Sequence, residues 1–376
     1  MGGAVTRTRR FNLRNTWVQI HLWLGLTLGI IGALLGLSGS VLTYDRAVDA
    51  YLHPSRYAIS GAQVALPVAE YAQRAEATLG SGARVFALRF PEDRAEPVVA
   101  FVRGIGGMQR VYLDPPSGRV LDVGSANDLV AWLHQFHESL NLRDLGGRSI
   151  VGVVGIAMLI SALSGIYLWW PANGLRRTGL GFRPGFALHR NLHYTIGIAG
   201  VVLLAMLSFT GIFLGFPDAG RVVVGAMAKV SASPRGLQSA EAAGRGIGPD
   251  EAVAIALADY ANATIASVGF PAGPRGVYRV SLRERDDADA RPGTAVFIDP
   301  RTRAVIARND RSTRGGGDTF LAWQRMLHEG SVFGGGGRFL VFLGGLMPAV
   351  LVVTGLLMWL RPRRRRSASR AAIRST

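Results

Sequence analysis

The chain has 376 residues, 49% of them hydrophobic, and a positive mean hydropathy. This composition argues against a wholly soluble globular protein. Its net charge of +17 would suit nucleic acid, but fifteen arginines lie in three segments without any acidic residue, and the rest of the chain is almost neutral. This clustering is typical of membrane topology and leaves no support for a nucleic-acid partner. The three segments are 1–20, 171–190 and 361–376.

Cysteine is absent from the chain. The sequence therefore excludes structural disulfides, thiolate metal sites, iron–sulfur clusters and the thioether attachment of c-type haem. Any haem in this protein would have to be held without covalent links.

Four segments lack charged residues for long enough to cross a hydrocarbon core of about 30 Å as helices. Because the arginine-rich pieces flank them, the positive-inside rule predicts a multi-pass protein of the bacterial inner membrane with both termini cytoplasmic. The first segment is too long for a signal peptide, so we expect it to be an uncleaved helix. The predicted parts are a cytoplasmic N-terminus over 1–16, membrane spans over 17–44, 148–171, 191–217 and 338–361, periplasmic modules over 45–147 and 218–337, a cytoplasmic loop over 172–190 and a basic cytoplasmic tail over 362–376.

The two segments outside the membrane show the same order of elements. Each begins with an amphipathic helical pattern at a proline, over 67–79 and 249–265. Alternating strands follow, and the third strand of each set breaks at an Asp-Pro pair, which is typical of a hairpin turn. Each segment is therefore predicted to form a small α+β module. The strands are predicted over 84–90, 97–104 and 109–123 in the first segment and over 264–270, 276–284 and 294–308 in the second.

An internal repeat organises the histidines. His21 and His193 each precede a Ser/Thr-Gly pair by the same 17 residues, and "WLHQFHES" (132–139) aligns with "WQRMLHEG" (323–330), which matches His137 with His328. We interpret the chain as a tandem duplication of helix, module, helix. Parallel repeats pack about an axis along the membrane normal, so equivalent histidines should face each other. This predicts a His21/His193 layer near the cytoplasm and a His137/His328 layer near the outside.

Placing paired imidazoles in or beside a membrane span costs free energy, so such residues are interpreted as functional. Two facing imidazoles can supply both axial ligands of a six-coordinate b-type haem, which suits electron transfer. The sequence therefore predicts two b-type haems, one in each layer. Other candidate residues are Gly25 and Gly197, which would make room for a macrocycle, and Arg148 and Arg338, which would pair with propionates.

His134 and His189 lie three or four residues before a predicted ligand, so we interpret them as accessory or alternative ligands. Each could also chelate a divalent metal together with its neighbour, although the only acidic residues nearby are Glu138 and Glu329. A proton relay has less support because the spans contain no carboxylate. No catalytic residue is assigned.

The sequence resembles the PepSY-associated transmembrane family over residues 11–362. The matching pieces are "LHESLNLRDLGGRSIVG" with "SGIYLWWP", "LHEGSVFGGGGRFLVFLGG" with "TGLLMWLRP", and the two segments "HLWLGL" and "LHYTIGI". The outside modules, with "VYLDPPSGRVL" and "VFIDPRTRAVI", are similar to PepSY domains.

The resemblance implies a role in iron uptake, since some members are di-haem inner-membrane reductases of ferric siderophores. Position by position, the family's histidines fall on His21, His137, His193 and His328. Some relatives carry a flavodoxin- or ferredoxin-reductase-like domain that this sequence lacks, so the resemblance implies a separate donor, a quinol or a cytoplasmic reductase.

The sequence therefore predicts an α-helical membrane protein with four transmembrane helices and two small PepSY-like modules. Its predicted function is electron transfer through two haems to a periplasmic ferric siderophore. Two alternatives stay open, a non-redox sensor or regulator whose modules bind a peptide or protein, and a carrier for haem or metal.

Overall fold

The computed structural model describes residues 12–105, 107–125, 128–170, 187–231, 236–240, 246–284, 293–310 and 312–374. These residues form two compact units. The helical unit comprises Met1–Thr43, His134–Pro217 and Leu327–Thr376, and the sheet unit comprises Tyr44–Leu133 and Asp218–Met326. Most of the predicted cytoplasmic N-terminus and of the predicted loop over 172–190 lies outside the described residues.

Helices supply most of the helical unit and flank the strands of the sheet unit. Three of them are long and apolar enough to cross a membrane, and a bent pair at the start of the chain forms a fourth candidate span. In chain order the helices are α1 (Leu13–Leu26), α2 (Leu28–Leu42), α3 (Asp45–Leu52), α4 (Val68–Leu79), α5 (Leu129–Ser139), α6 (Gly147–Trp169), α7 (Leu188–Gly215), α8 (Pro217–Gly225), α9 (Pro249–Leu257), α10 (Gly316–Glu329) and α11 (Gly334–Arg374).

The first candidate span is broken at Thr27, where the sequence predicts one continuous helix over 17–44. Helices α1 and α2 meet there at an angle of 51°. The Thr27 backbone leaves the helical region, and its hydroxyl and its N–H both donate to the carbonyl oxygen of Trp23. A threonine hydroxyl that bonds back to the preceding turn competes with the helical ladder and bends the chain.

Glycines allow the membrane-type helices to approach closely. A Cβ atom at Gly36 on α2 would collide with the carbonyl oxygen of Gly345 on α11. Another close contact joins α6 to α7, where a Cβ atom at Gly215 would lie 2.6 Å from the Cα atom of Gly152. Small residues at such crossings are the usual means of packing helices in a bilayer.

The sheet unit contains one antiparallel sheet with strand order β4-β3-β2-β1-β5-β6-β7-β8. Its two halves join where β1 pairs with β5, with Ala87 opposite Gly269 and Arg89 opposite Ser267. The strands are β1 (Arg84–Arg89), β2 (Val98–Gly104), β3 (Gly107–Leu113), β4 (Val120–Ser125), β5 (Ala263–Gly269), β6 (Tyr278–Glu284), β7 (Thr294–Ile298) and β8 (Val305–Asn309).

Helices α4 and α9 cover one face of this sheet, and the hydrophobic core lies between these helices and the strands. Tyr71 on α4 and Ala252 on α9 are fully buried against alternate strand residues such as Leu88 and Leu282. Apolar residues with a period of two along each strand place their side chains on this one face. The opposite face therefore carries the other set of side chains.

The structure changes two predictions about the sheet unit. The helix predicted over 249–265 is wrong beyond Leu257, because the β-branched residues Thr264 and Ile265 pair with β6 as part of β5. The two predicted modules also share a single sheet, since the outer edge of β1 is closed by β5. The predicted Asp-Pro hairpin turns are confirmed at Asp114 and Asp299, each between two paired strands.

Candidate functional site

The helical unit brings four histidines together as two pairs. The ring centres of His21 on α1 and His193 on α7, the first pair, lie 6.3 Å apart. The ring centres of His137 on α5 and His328 on α10, the second pair, lie 6.1 Å apart. Each pair takes one ring from each half of the chain, so residues more than 170 positions apart in sequence share a site.

Each of these rings has the same kind of hydrogen-bond partner, a serine or threonine hydroxyl on a neighbouring helix. The hydroxyl lies about one hydrogen-bond length from Nδ1 of the imidazole in all four cases. The contacts from Nδ1 to the hydroxyl oxygen are His21 to Ser164 at 2.9 Å, His137 to Ser38 at 3.1 Å, His193 to Thr354 at 3.0 Å and His328 to Thr210 at 2.9 Å.

These hydroxyl groups determine which ring nitrogen carries the proton. Ser164 donates to the carbonyl oxygen of Ser161 at 3.1 Å, and the other three hydroxyls likewise donate to a carbonyl of their own helix. A hydroxyl has one hydrogen, so its oxygen accepts from Nδ1–H of the histidine. Backbone carbonyls add to this, because His137 Nδ1 lies 2.9 Å from Leu35 O and His193 Nδ1 lies 3.1 Å from Leu351 O.

With the proton on Nδ1, the lone pair of each ring is on Nε2. This is the tautomer of a histidine that ligates a metal through Nε2 and is oriented by a hydrogen bond at Nδ1. In all four rings, hydrogen bonds within the protein therefore leave the lone pair of Nε2 available.

A glycine lies against each ring, directly after the hydroxyl residue in the chain. A Cβ atom at any of these glycines would lie within 3.5 Å of Cε1 of the imidazole, and at Gly39 it would lie only 2.8 Å from Cε1 of His137. The Ser/Thr-Gly pairs therefore provide both a hydrogen bond and space for a flat ring. The glycines and their rings are Gly165 with His21, Gly39 with His137, Gly355 with His193 and Gly211 with His328.

The separation of the paired rings fits a metal ion between them. A metal–nitrogen bond is about 2 Å long and the ring centre lies about 1 Å behind the nitrogen, so imidazoles on opposite sides of one ion have centres about 6 Å apart. The observed separations are 6.3 and 6.1 Å. Both pairs thus have the spacing of two axial ligands.

Gly25 and Gly197 lie one helical turn after the histidines of the first pair. A Cβ atom at Gly25 would meet nothing within 4 Å, and one at Gly197 would only touch Leu351 at 3.7 Å. Open space on this face of α1 fits the flat macrocycle that the sequence predicts there.

Arg148 and Arg338, the predicted propionate partners, are both exposed near the start of α6 and α11. The Nε atom of Arg148 donates to the carbonyl oxygen of Leu214 at 2.9 Å, which leaves its two terminal nitrogens for other partners. Their pairing with propionates stays a prediction.

His134 and His189 lie on α5 and α7, one turn before His137 and His193. Neither takes part in the paired arrangement described above, and their accessory role stays a prediction. Within the described parts of the chain, no group of three or more His, Asp or Glu side chains is arranged to hold a metal ion.

The role of the four hydroxyl groups was not foreseen from the sequence. The signal was present, because the Ser/Thr-Gly pairs follow His21 and His193 at a constant spacing of 17 residues and recur in the other two spans. The spacing does not reveal that each hydroxyl serves a histidine of another helix.

The apolar helices define a protein of α-helical membrane type, in which four histidines lie in two pairs. The model of the PepSY-associated TM region matches residues 18–361, and the chain belongs to this family. The resemblance found in the sequence is thereby confirmed. A comparison with curated proteins finds no match.

Proposed function

We propose that this membrane protein binds two b-type haems and transfers electrons across the bacterial inner membrane to a periplasmic ferric siderophore. The observation that carries the proposal is the double pair of imidazoles at axial-ligand spacing, each with its Nδ1 hydrogen-bonded. His21 and His193 would hold one haem, and His137 and His328 the other.

Bound haem would supply a one-electron redox centre, and each of the two haems would be held by one imidazole from each half of the chain. The residues of the protein would fix the rings, select the tautomer with the proton on Nδ1 and the lone pair on Nε2, and keep exogenous ligands from the metal. This combination favours electron transfer over oxygen binding or activation.

Helix α7 gives the distance between the two sites. It carries His193 of the first pair and Thr210, the partner of His328 in the second pair, on one unbroken helix. Their separation of 17 residues corresponds to about 25 Å along the helix axis. Since the hydrocarbon core is about 30 Å thick, two sites at this spacing serve opposite sides of a membrane.

The arginine-rich segments at 1–20, 171–190 and 361–376 support cytoplasmic termini and a cytoplasmic loop. The first pair would then lie near the cytoplasm, where a quinol or a cytoplasmic reductase donates electrons. The sheet unit would lie in the periplasm with the acceptor. Reduction of ferric iron weakens its hold in a chelate of hard oxygen ligands, which releases it for uptake.

The test is haem quantification in the purified protein and in four histidine-to-alanine variants. We expect two haems per chain, a spectrum that responds to dithionite, and loss of one haem in each variant. His21→Ala and His193→Ala should lose the same haem, and His137→Ala and His328→Ala the other. His53→Ala is the control, because His53 ends α3 in the sheet unit and should retain both haems.

A purified protein without a haem spectrum would contradict the proposal and favour the sensor alternative. Haem that survives all four substitutions would show that other residues are the ligands. Uptake of haem or metal into sealed vesicles without electron transfer would favour the carrier alternative.

A further inference from the structure

The face of the sheet opposite α4 and α9 carries an unusual set of side chains. It consists of the strand residues that alternate with the buried core positions. No acidic residue occupies this face on the four central strands. The residues are Val99, which is buried, Phe101 and Arg103 on β2, Arg84, Phe86, Ala87 and Arg89 on β1, Thr264, Ser267 and Gly269 on β5, and Arg279, Ser281 and Arg283 on β6.

Small residues form the middle of this face where the two halves of the sheet join. Ala87, Gly269, Ser267 and Ser281 are neighbours across β1, β5 and β6, and all four are only half-buried. A Cβ atom at Gly269 would make only ordinary contacts, the nearest at 3.5 Å, so close packing does not require glycine there. The small residues leave a shallow floor.

Arginine–phenylalanine pairs stand on both sides of this floor. On one side, Arg110 of β3 is opposite Phe101, and the guanidinium carbons of Arg110 and Arg89 lie 6.0 and 5.9 Å from the centre of that ring. On the other side, Arg279 is opposite Phe297 of β7, with its guanidinium carbon 5.8 Å from the ring centre. From Phe101 to Arg279 is three strand spacings, or about 14 Å.

Five arginines of this face have no ion-pair partner among the described residues. Arg84 and Arg103 are directly opposite each other on β1 and β2, and like charges in this position are destabilising without an anion. Neither they nor Arg89, Arg110 and Arg279 form an ion pair with any residue that the structure describes.

A buried arginine of the same unit shows the contrast. Arg56 is only 2% exposed and contacts three carboxylates, those of Asp49, Asp122 and Asp128. The chain thus compensates an arginine with acidic partners where the charge is structural. Among the residues that the structure describes, no carboxylate forms an ion pair with Arg84, Arg89, Arg103, Arg110 or Arg279.

We infer that this face, the arginine floor, binds a small, multiply anionic iron(III) chelate with carboxylate groups. Guanidinium groups bind carboxylates in a bidentate manner, the phenylalanine rings offer flat apolar walls, and a floor about 14 Å wide suits a small molecule. The inference rests on the proposed function, for which it names the substrate class.

The test measures binding of gallium(III) citrate to the full-length protein in neutral detergent by isothermal titration calorimetry. Gallium(III) is not reduced under these conditions, so binding is read independently of haem and of electron transfer. We expect binding that weakens as sodium chloride is raised. Arg110→Gln and Arg279→Gln should each lower the affinity about tenfold, corresponding to loss of one charge-assisted hydrogen bond.

Two further variants control for charge and for folding. Arg303→Gln removes the same charge on the other side of the sheet, where Arg303 contacts Glu251 of α9, and should bind as the wild type does. Ser267→Trp leaves the charge unchanged but fills the floor, and should abolish binding. Haem content and melting temperature identify any variant that fails to fold.

Three results would overturn the inference: equal affinity of a cationic gallium(III) chelate, unchanged affinity in both Arg110→Gln and Arg279→Gln, or unchanged affinity in Ser267→Trp. Loss of gallium citrate binding in nanodiscs of anionic lipid, but not of zwitterionic lipid, would instead assign the arginine floor to lipid headgroups. Gallium citrate binding to a protein without haem would sustain this inference while the proposed function failed.

Discussion

At the scale of single residues, the hydroxyl partners control the electronic character of the histidines. Ser164 accepts a hydrogen bond from His21 while donating to the Ser161 carbonyl oxygen. Such a bond makes the imidazole more basic and stabilises the more positive, oxidised state of a bound metal. Each pair of rings has one serine and one threonine partner, so the histidines of the two pairs have the same kinds of hydrogen-bond partner.

Removing one of these hydroxyls should therefore change the potential of one site. We expect Ser164→Ala to raise the midpoint potential of the haem that we propose His21 and His193 to hold by about 20 to 60 mV, from loss of one hydrogen bond. Redox titration monitored by visible absorption measures this shift. Ser164→Thr keeps the hydroxyl and should leave the potential close to that of the wild type. An equal shift in both variants would mean that packing, and not the hydrogen bond, is responsible.

A second substitution tests the open space beside the first pair. Gly25→Leu should reduce haem content by about half without unfolding the protein, because none of the described residues lies within 4 Å of a Cβ atom there. Absorbance ratios of haem to protein measure the loss. Gly335→Leu, at another open glycine near the start of α11, should retain both haems. Full haem content in Gly25→Leu would show that the macrocycle does not lie on this face.

The sequence could predict which histidines meet, because the repeat supplies an equivalent for each one. It could not predict the hydroxyl contacts, since His21 and Ser164 belong to different helices and only their packing brings them within 2.9 Å. Arg148 illustrates a further limit, because its hydrogen bond to Leu214 depends on how α6 packs on α7.

At the scale of elements, buried aspartates fix the loops around the strands. Asp310 follows β8 and accepts hydrogen bonds from the hydroxyls of Ser312 and Tyr260, both at 2.6 Å, and from the N–H of Thr313. Burial alone would raise its pKa, but these hydrogen bonds outweigh burial and lower the pKa to about 2. At Asp114, bonds from Ser117 and Ser60 lower the pKa in the same way against the effect of burial.

The lowered pKa makes stability depend on pH in a definite direction. The ionised Asp310 stabilises the fold above the unfolded pKa of about 4, and this contribution of about 2 kcal/mol is lost as pH falls towards about 2. We expect Asp310→Asn to lower the melting temperature at pH 7 and to reduce the additional loss that the wild type shows between pH 5 and pH 3. Thermal unfolding of the purified protein measures both effects. Asp93→Asn changes an exposed carboxyl and should behave as the wild type does.

Elements with a strong local pattern were predictable, and the exceptions have physical causes. The strands and the hairpins at Asp114 and Asp299 follow from alternation and turn residues. The break at Thr27 could not be read from hydropathy, because it depends on a hydroxyl bonding to Trp23 O. The pairing of β1 with β5 was also not predicted, since alternation of apolar and polar residues identifies a strand but not the strand beside it.

At the scale of the whole molecule, both units show the same correspondence between the two halves of the chain. Each half supplies four strands and the helix that covers their buried face to the sheet unit, and one histidine to each pair in the helical unit. The tandem duplication that we infer from the sequence accounts for this correspondence. The arrangement also predicts a topology in which both copies of the strand region lie on one side of the membrane.

Cysteine labelling can test this topology without a background, since the natural chain has no cysteine. Ser81→Cys lies at an exposed turn before β1 and should react with a membrane-impermeant maleimide from the periplasmic side of intact cells. Ser367→Cys, in the predicted basic tail, should react only after the membrane is permeabilised. The reverse pattern would contradict the positive-inside orientation.

The pairing of β1 with β5 also determines when the sheet can be completed during synthesis of the chain. About 175 residues separate these strands. At the usual rate of protein synthesis, β5 is therefore made roughly 9 to 35 s after β1. During that interval β1 to β4 can form a meander, but the edge of β1 that later pairs with β5 is still unpaired. An unpaired strand edge can pair with other chains. Maturation of the sheet unit is thus delayed until the candidate membrane spans α6 and α7, which precede β5 in the chain, have been made.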